Sequence, residues 1–266
     1  MKVVLFCGGL GTRLRELTGE IPKPMVKIGY RPILWHLMKY YAHFGHKDFI
    51  LCLGYKADVI KQFFLEYEEW ISNDFTLSRG GKDLRLERSD IEDWNITFVD
   101  TGLHANIGQR LMAVRKYVED DEIFLANYSD GLTDLDLDKM VRTFRESRHV
   151  ASFLAVQPSQ SFHLVTMAGD GLVSSIRSVK DSDLLINGGF FVLRREIFDY
   201  MRPGDELVLA PFERLIAERK LLGYRCERFW CMDTFKEQQE LTDLYNSGRA
   251  PWEVWKSAPS RLASAG

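Results

Sequence analysis

The chain has 266 residues, 45% of them apolar, enough for one large domain or a domain and a half around a substantial core. With 38 Asp and Glu against 35 Lys and Arg, its formal net charge of −3 argues against a general nucleic-acid or anionic-membrane binder and leaves room for a local basic pocket. No run approaches the length of apolar sequence that spans a bilayer, and Met1-Lys2 leads straight into a strand-like segment rather than a signal peptide.

The run Lys2-Val3-Val4-Leu5-Phe6-Cys7 predicts a buried first strand. It opens into Gly8-Gly9-Leu10-Gly11-Thr12-Arg13-Leu14, followed by Pro22-Lys23-Pro24-Met25. Apolar spacing from Pro32 to Phe44 predicts a helix, Phe49 to Leu53 a strand closed by Gly54, and Ala57 to Trp70 a second helix. Residues Thr76 to Arg88, with Gly80-Gly81 at their centre, read as an inserted polar hairpin, either a subunit contact or a decorated loop. Next come a strand from Asn95 to Asp100, a helix from Ile107 to Val118 and a strand from Glu122 to Tyr128. This βαβα order predicts an α/β fold: a Rossmann-like, mixed but mostly parallel sheet flanked by helices. Right-handed crossovers then bring the loops after Cys7, Asp100 and Tyr128 to one rim.

The second half predicts smaller antiparallel additions. Ala151 to Val156 continues the sheet, Leu164 to Met167 and Leu172 to Val179 form a hairpin, and Ile186 to Leu193 is a strand interrupted by Gly188-Gly189. Helices follow at Pro211 to Lys220 and Thr234 to Asn246. The expected organisation is a single domain over 1–255, with a nucleotide-binding half to about 135, a sugar-phosphate half beyond it, the hairpin insertion at about 75–88, and a tail at 256–266. Cys7, Cys52, Cys226 and Cys231 lack a metal-like spacing and read as reduced structural thiols, which suits a cytoplasmic protein.

The chemistry concentrates in the first loop. A strand running into glycines presents backbone N–H groups to phosphate oxygens without a Cβ in the way. Arg13 adds a fixed fork of donors and Lys23 a mobile positive charge, on a loop stiffened by its flanking prolines. The loop lacks the terminal Gly-Lys-Ser/Thr of a P-loop, and Leu14 stands where the dinucleotide fingerprint needs its third glycine. Asp130, in Tyr128-Ser129-Asp130-Gly131, and Asp233, in Met232-Asp233-Thr234, are the candidate hard-cation ligands. From spacing alone a turn-residue role for Asp130 stays open, and helix N-capping is the favoured reading of Asp233.

Together with Arg31-Pro32-Ile33-Leu34-Trp35-His36, Gly54-Tyr55-Lys56, Asp100-Thr101-Gly102 and Asn187-Gly188-Gly189-Phe190-Phe191, these motifs resemble the sugar-1-phosphate nucleotidyltransferases. Trp94-Asn95-Ile96-Thr97 and Ala250-Pro251-Trp252 point to their glucose-1-phosphate cytidylyltransferase branch. The resemblance implies a GT-A-like fold, a homo-oligomer, and Mg²⁺-dependent transfer from CTP or another nucleoside triphosphate to a sugar-1-phosphate, with no nucleic-acid or membrane partner. It implies that Gly8, Gly9, Gly11, Thr12 and Arg13 wrap the triphosphate, with Arg110 near it. Lys23 would neutralise the α-phosphate, and Arg13, Lys23 and Asp130 would be catalytic. Asp130 and Asp233 would hold the metal, and Tyr128, Asn187 and Gly188 would line the sugar side. The family's Glu-Lys-Pro motif is altered to Arg177-Ser178-Val179-Lys180-Asp181, leaving Lys180 to grip the sugar phosphate after a register change. That departure keeps two alternatives open: a different sugar or polyol phosphate as acceptor, or a catalytically silent nucleotide-binding homologue.

Overall fold

Side-chain alternation within the first strand explains the layering of the whole molecule. Val3 and Leu5 enter one core with Leu37 and Tyr41, whereas Val4 and Phe6 enter another with Leu111 and Phe212. A strand buried on both faces has no polar side to show, which is why it reads as an unbroken apolar run. The computed structural model describes residues 1–9, 21–159 and 162–256.

Among the described residues the central sheet has eight strands: β1 (Lys2–Phe6), β2 (Asp48–Leu53), β3 (Asn95–Asp100), β4 (Ile123–Tyr128), β5 (Ala151–Val156), β6 (Ile186–Asn187), β7 (Phe191–Arg194) and β8 (Leu221–Cys226). β1 lies between β2 and β4, parallel to both, and β3 runs parallel outside β2. β7 is antiparallel to both β4 and β5, β6 is antiparallel to β5, and β8 is parallel to β5. The sheet is thus mixed and mostly parallel, as predicted.

Among the described residues, six helices flank it: α1 (Ile33–His43), α2 (Ala57–Leu65), α3 (Ile107–Ala113), α4 (Leu137–Arg145), α5 (Ala210–Ala217) and α6 (Phe235–Asn246), with a further single turn at Arg115–Val118. α1 and α4 pack on one face and α3 and α5 on the other. α1 is buried almost all round because the closing segment, with fully buried Trp252, lies over it. A buried side chain such as Leu37 contributes roughly 1.5–3 kcal/mol of transfer free energy.

Four predicted elements end differently. The helix expected to reach Trp70 stops at Leu65, because Arg31 Nη2 takes the Glu68 carbonyl at 2.7 Å and its guanidinium stacks over Tyr67 at 4.1 Å. The helix expected to reach Val118 breaks at Val114, which leaves helical geometry so that both valines bury in the same core. α5 begins one residue early and ends three short of Lys220. Arg219 turns left-handed there, and the Lys220 N–H donates to the Leu215 carbonyl at 2.8 Å. The strand over Ile186–Leu193 is interrupted at Gly188-Gly189 as expected, into β6 and β7, and it ends one residue later, at Arg194; in the bend the Phe190 N–H donates to Asn127 Oδ1 at 2.8 Å.

Both predicted hairpins form, at Phe75–Ser78 with Asp83–Leu86 and at His163–Met167 with Val173–Ser178. Val254–Lys256 forms a last turn; the tail expected after it lies outside the described residues.

Candidate active site

Lys23 opens a single turn, Lys23–Met25, whose buried Pro24 and Met25 anchor it, and the Met25 N–H closes on the Pro22 carbonyl at 2.8 Å. Its ammonium donates to Asp130 Oδ2 and to Asp233 Oδ1, at 2.5 Å each. These aspartates are 103 residues apart in the chain, and a short ladder joins them. Ser129 just past β4 donates to the Phe6 carbonyl at 2.9 Å, fixing the end of β4 against β1. Gly131–Thr133 then pairs antiparallel with Phe229–Cys231, and the Met232 N–H donates to the Asp130 carbonyl at 3.0 Å. Asp233 follows directly. The N-cap of α6 is Thr234, in a capping box with Glu237, so the Asp233 carboxylate turns to Lys23 instead of capping the helix.

Burial alone would lower the Lys23 pKa, but the charges and hydrogen bonds of Asp130 and Asp233 outweigh it and hold it above the ordinary lysine value. Lys23 is therefore a cation throughout the physiological range. The two carboxylates converge on one positive charge, and both are hard oxygen donors. Mg²⁺ is commonly held by one or two carboxylates, with phosphates and water completing the shell. The pair fits such an ion.

The cleft over this cluster has a volume of about 250 Å³ and is walled by Phe6, Gly8, Gly9, Lys23, Tyr128 and Asp130, with Arg110, Asn106 and Glu206 along one side. A hollow of about 500 Å³ near Tyr200 is larger, but its Arg202, Arg214 and Lys220 are matched by Glu196, Asp199 and Glu218, and no glycine loop opens on it. The chemistry favours the smaller cleft for a polyanion.

Gly8 and Gly9 lie on the wall as expected for a phosphate loop; Gly11, Thr12 and Arg13 lie outside the described residues. Arg110 also borders the cleft, but its donors are directed to protein. They reach the Gly8 carbonyl (3.0 Å), the Leu53 carbonyl (3.1 Å) and Thr101 Oγ1 (2.6 Å), binding the loops after β1, β2 and β3 together. A Cβ at residue 8 would stand 2.1 Å from this guanidinium, so glycine there permits the close approach. The resemblance places Arg110 near the nucleotide; in the structure it borders the cleft and ties the Gly8 end of the first loop to its neighbours.

Tyr128 and Asn187 come together, with Asn187 Nδ2 donating to the Tyr128 hydroxyl at 3.3 Å. Burial, with the Glu206 charge adding to it, pushes the Tyr128 pKa up to about 12, so the phenol stays protonated. Gly188 is buried, its N–H donating to the Leu154 carbonyl at 2.8 Å. Lys180 is exposed, in the turn Val179–Asp181, where Val179 takes the buried place. The strand expected to reach Val179 ends at Ser178, and this turn follows it.

His36 is structural. Its Nε2 pairs with the Ile28 carbonyl at 3.0 Å, it sits among Trp35, Tyr245 and Trp252, and burial lowers its pKa to about 4. The four thiols are unpaired. Sequence reasoning missed Ser129 as the strand-end tie and Glu206 as part of the wall; Glu206 follows Gly204-Asp205 in a stretch that carries no motif.

Residues 2–226 match the nucleotidyl transferase family. A probable glucose-1-phosphate cytidylyltransferase of Bacillus subtilis (strain 168) is 37% identical over 258 residues, covering 96% of this chain and 100% of its own. The glucose-1-phosphate cytidylyltransferase of Salmonella typhimurium is 38% identical with the same coverage. Among solved structures, UTP-bound UGPase from Acinetobacter baumannii aligns with a TM-score of 0.66 at 18% identity, over 92% of each chain, a likeness that concerns the fold.

Proposed function

Because this chain belongs to the nucleotidyl transferase family, as a sugar-1-phosphate nucleotidyltransferase, we propose that it transfers the cytidylyl group of CTP to glucose-1-phosphate, giving CDP-glucose and pyrophosphate. A phosphate oxygen of the sugar phosphate attacks the α-phosphorus. A new P–O bond forms, the bond to the β-phosphate oxygen breaks, and pyrophosphate leaves with that electron pair. The nucleophile is already an anion, so no strong base is required. The barrier lies in bringing two polyanions together and in the charge on the phosphorus at the transition state.

The observation that carries this reading is the Lys23 ammonium, 2.5 Å from both Asp130 and Asp233 on the floor of a glycine-walled cleft. Gly8 and Gly9, continued by Gly11, Thr12 and Arg13, receive the triphosphate, and Arg110 sets the loop's position. Lys23 neutralises the α-phosphate oxygens. Asp130 and Asp233 would hold Mg²⁺, which when bound supplies Lewis-acid neutralisation of phosphate charge. Tyr128, Asn187 and Gly188 line the acceptor side. The protein works in the cytoplasm, a compartment that suits four unpaired thiols, and as a homo-oligomer, supported by the exposed Phe75, Leu77 and Leu84 of the first hairpin.

Pyrophosphate exchange, measured with a panel of nucleoside triphosphates and sugar phosphates, tests the reaction. Exchange with CTP and glucose-1-phosphate is expected; none with CTP under any sugar phosphate ends the reading. The exposed position of Lys180 favours one second reading, a different phosphorylated acceptor, which the same panel separates at fixed CTP.

A further inference from the structure

Glu206 faces the cleft from a turn that no motif marks. Residues 202–209 precede α5, and several contacts fix their position. The Asp205 N–H donates to the Arg202 carbonyl at 3.1 Å, and Arg214 Nη1 donates to Asp205 Oδ2 at 2.6 Å. Asn106, the N-cap of α3, donates from Nδ2 to the Gly204 carbonyl at 3.1 Å. α3 approaches the turn so closely that a Cβ on Gly108 would lie 2.2 Å from the Asp205 carbonyl oxygen. The Ile107 N–H then donates to Glu206 Oε2 at 3.2 Å. The Glu206 carboxylate is thus oriented from the main chain of another element and lines the cleft together with Tyr128.

A carboxylate offers about four lone-pair positions, and one N–H leaves most of that capacity for a ligand. In a cleft for two polyanions it cannot usefully face phosphate, because like charges repel. Its natural partner is an uncharged donor, and the hexose hydroxyls are such donors. Tyr128 is linked to both: it accepts from Asn187 at 3.3 Å, and it shares the cleft lining with Glu206 and feels its charge. Glu206 and Tyr128 thus line the same cleft, and Tyr128 carries the hydrogen bond from Asn187.

We infer that Glu206 is a specificity-determining residue, accepting a hydrogen bond from one hydroxyl of the hexose phosphate. This rests on the reading of Tyr128 and Asn187 as the sugar side. A half-buried acceptor oriented for a hydroxyl discriminates against the analogue that lacks it, because the acceptor is then left without that donor.

The test is a cycle of protein and substrate changes at saturating CTP, using glucose-1-phosphate and its monodeoxy analogues. For wild type, one analogue should lose about 10- to 100-fold in kcat/KM, the range for a hydrogen bond to a charged group. Glu206→Ala should lose a similar factor with glucose-1-phosphate, less than about twofold more with that analogue, and leave the KM for CTP within about twofold. Should Glu206→Ala fail to fold, Glu206→Gln, which keeps an acceptor for the Ile107 N–H, should show the same coupling at about 3- to 10-fold. A loss equal on every acceptor, or one that falls on the KM for CTP, overturns the inference alone. Wild-type protein inert with CTP and all hexose phosphates overturns it together with the proposed reaction.

Discussion

The region proposed to receive the phosphates and the one proposed to receive the acceptor sugar are built differently. At the phosphate end, the Lys23 turn is anchored by buried Pro24 and Met25, Ser129 ties β4 to β1, and buried Arg110 binds three loops at once. At the acceptor end, Asn187 is exposed, Lys180 stands in a surface turn, and the hairpin His163–Met167/Val173–Ser178 keeps Met167 61% and Ile176 63% exposed. Catalysis by positioning needs charges held in place before substrate arrives, and only the first region has that many cross-ties. The second can change its contacts without disturbing the sheet, which is where selectivity among sugar phosphates can vary at little structural cost.

Substitutions at the two ends should therefore differ in size. Asp130→Ala should lower turnover by at least about 10³-fold, since it removes a charge that Lys23 meets and a ligand of the proposed Mg²⁺; purified variant with full activity would show that the cation lies elsewhere. Lys23→Ala should cost about 10²- to 10³-fold in kcat while shifting the thermal midpoint by only a few degrees. The folded pKa of Lys23 lies above its unfolded value of 10.5. Its contribution to stability is accordingly complete below that value and disappears as pH rises through the folded pKa, so neither rate nor stability should show a Lys23 titration between pH 7 and 9.

Arg110→Met removes the guanidinium donors to the Gly8 and Leu53 carbonyls, which keep the Tyr55 N–H at 3.4 Å and the Thr101 N–H and hydroxyl respectively, and should cost about 2 kcal/mol in denaturant unfolding and raise the KM for CTP about tenfold. The smallest effect belongs to Lys180→Ala, less than about threefold on the KM for the sugar phosphate, because an exposed ammonium contributes little. A rise above tenfold would mean that the acceptor end is as fixed as the phosphate end, and would remove the contrast.

Local sequence determined the repeating elements and the loop chemistry. Val3 to Phe6 could only be a strand buried on both faces, Ile33 to Tyr41 carried helical spacing, and Gly8-Gly9 marked where backbone would meet an anion. Each of these follows from periodicity or from the conformational freedom of one residue, over distances of a few positions. Resemblance added Asp130 and Asp233, whose spacing alone left turn and cap readings standing. The tertiary structure placed their carboxylates on one ammonium, because their meeting depends on the register of Gly131–Thr133 against Phe229–Cys231 and on Thr234 capping α6. It likewise decided that Arg110 turns inward to three loops and that Glu206 reaches the cleft through the N-terminus of α3. Apart from the Thr234 cap and the Arg110–Thr101 bond, such contacts join residues from 57 to 210 positions apart, and they exist only once the strands and helices that carry them have packed, which no local pattern records.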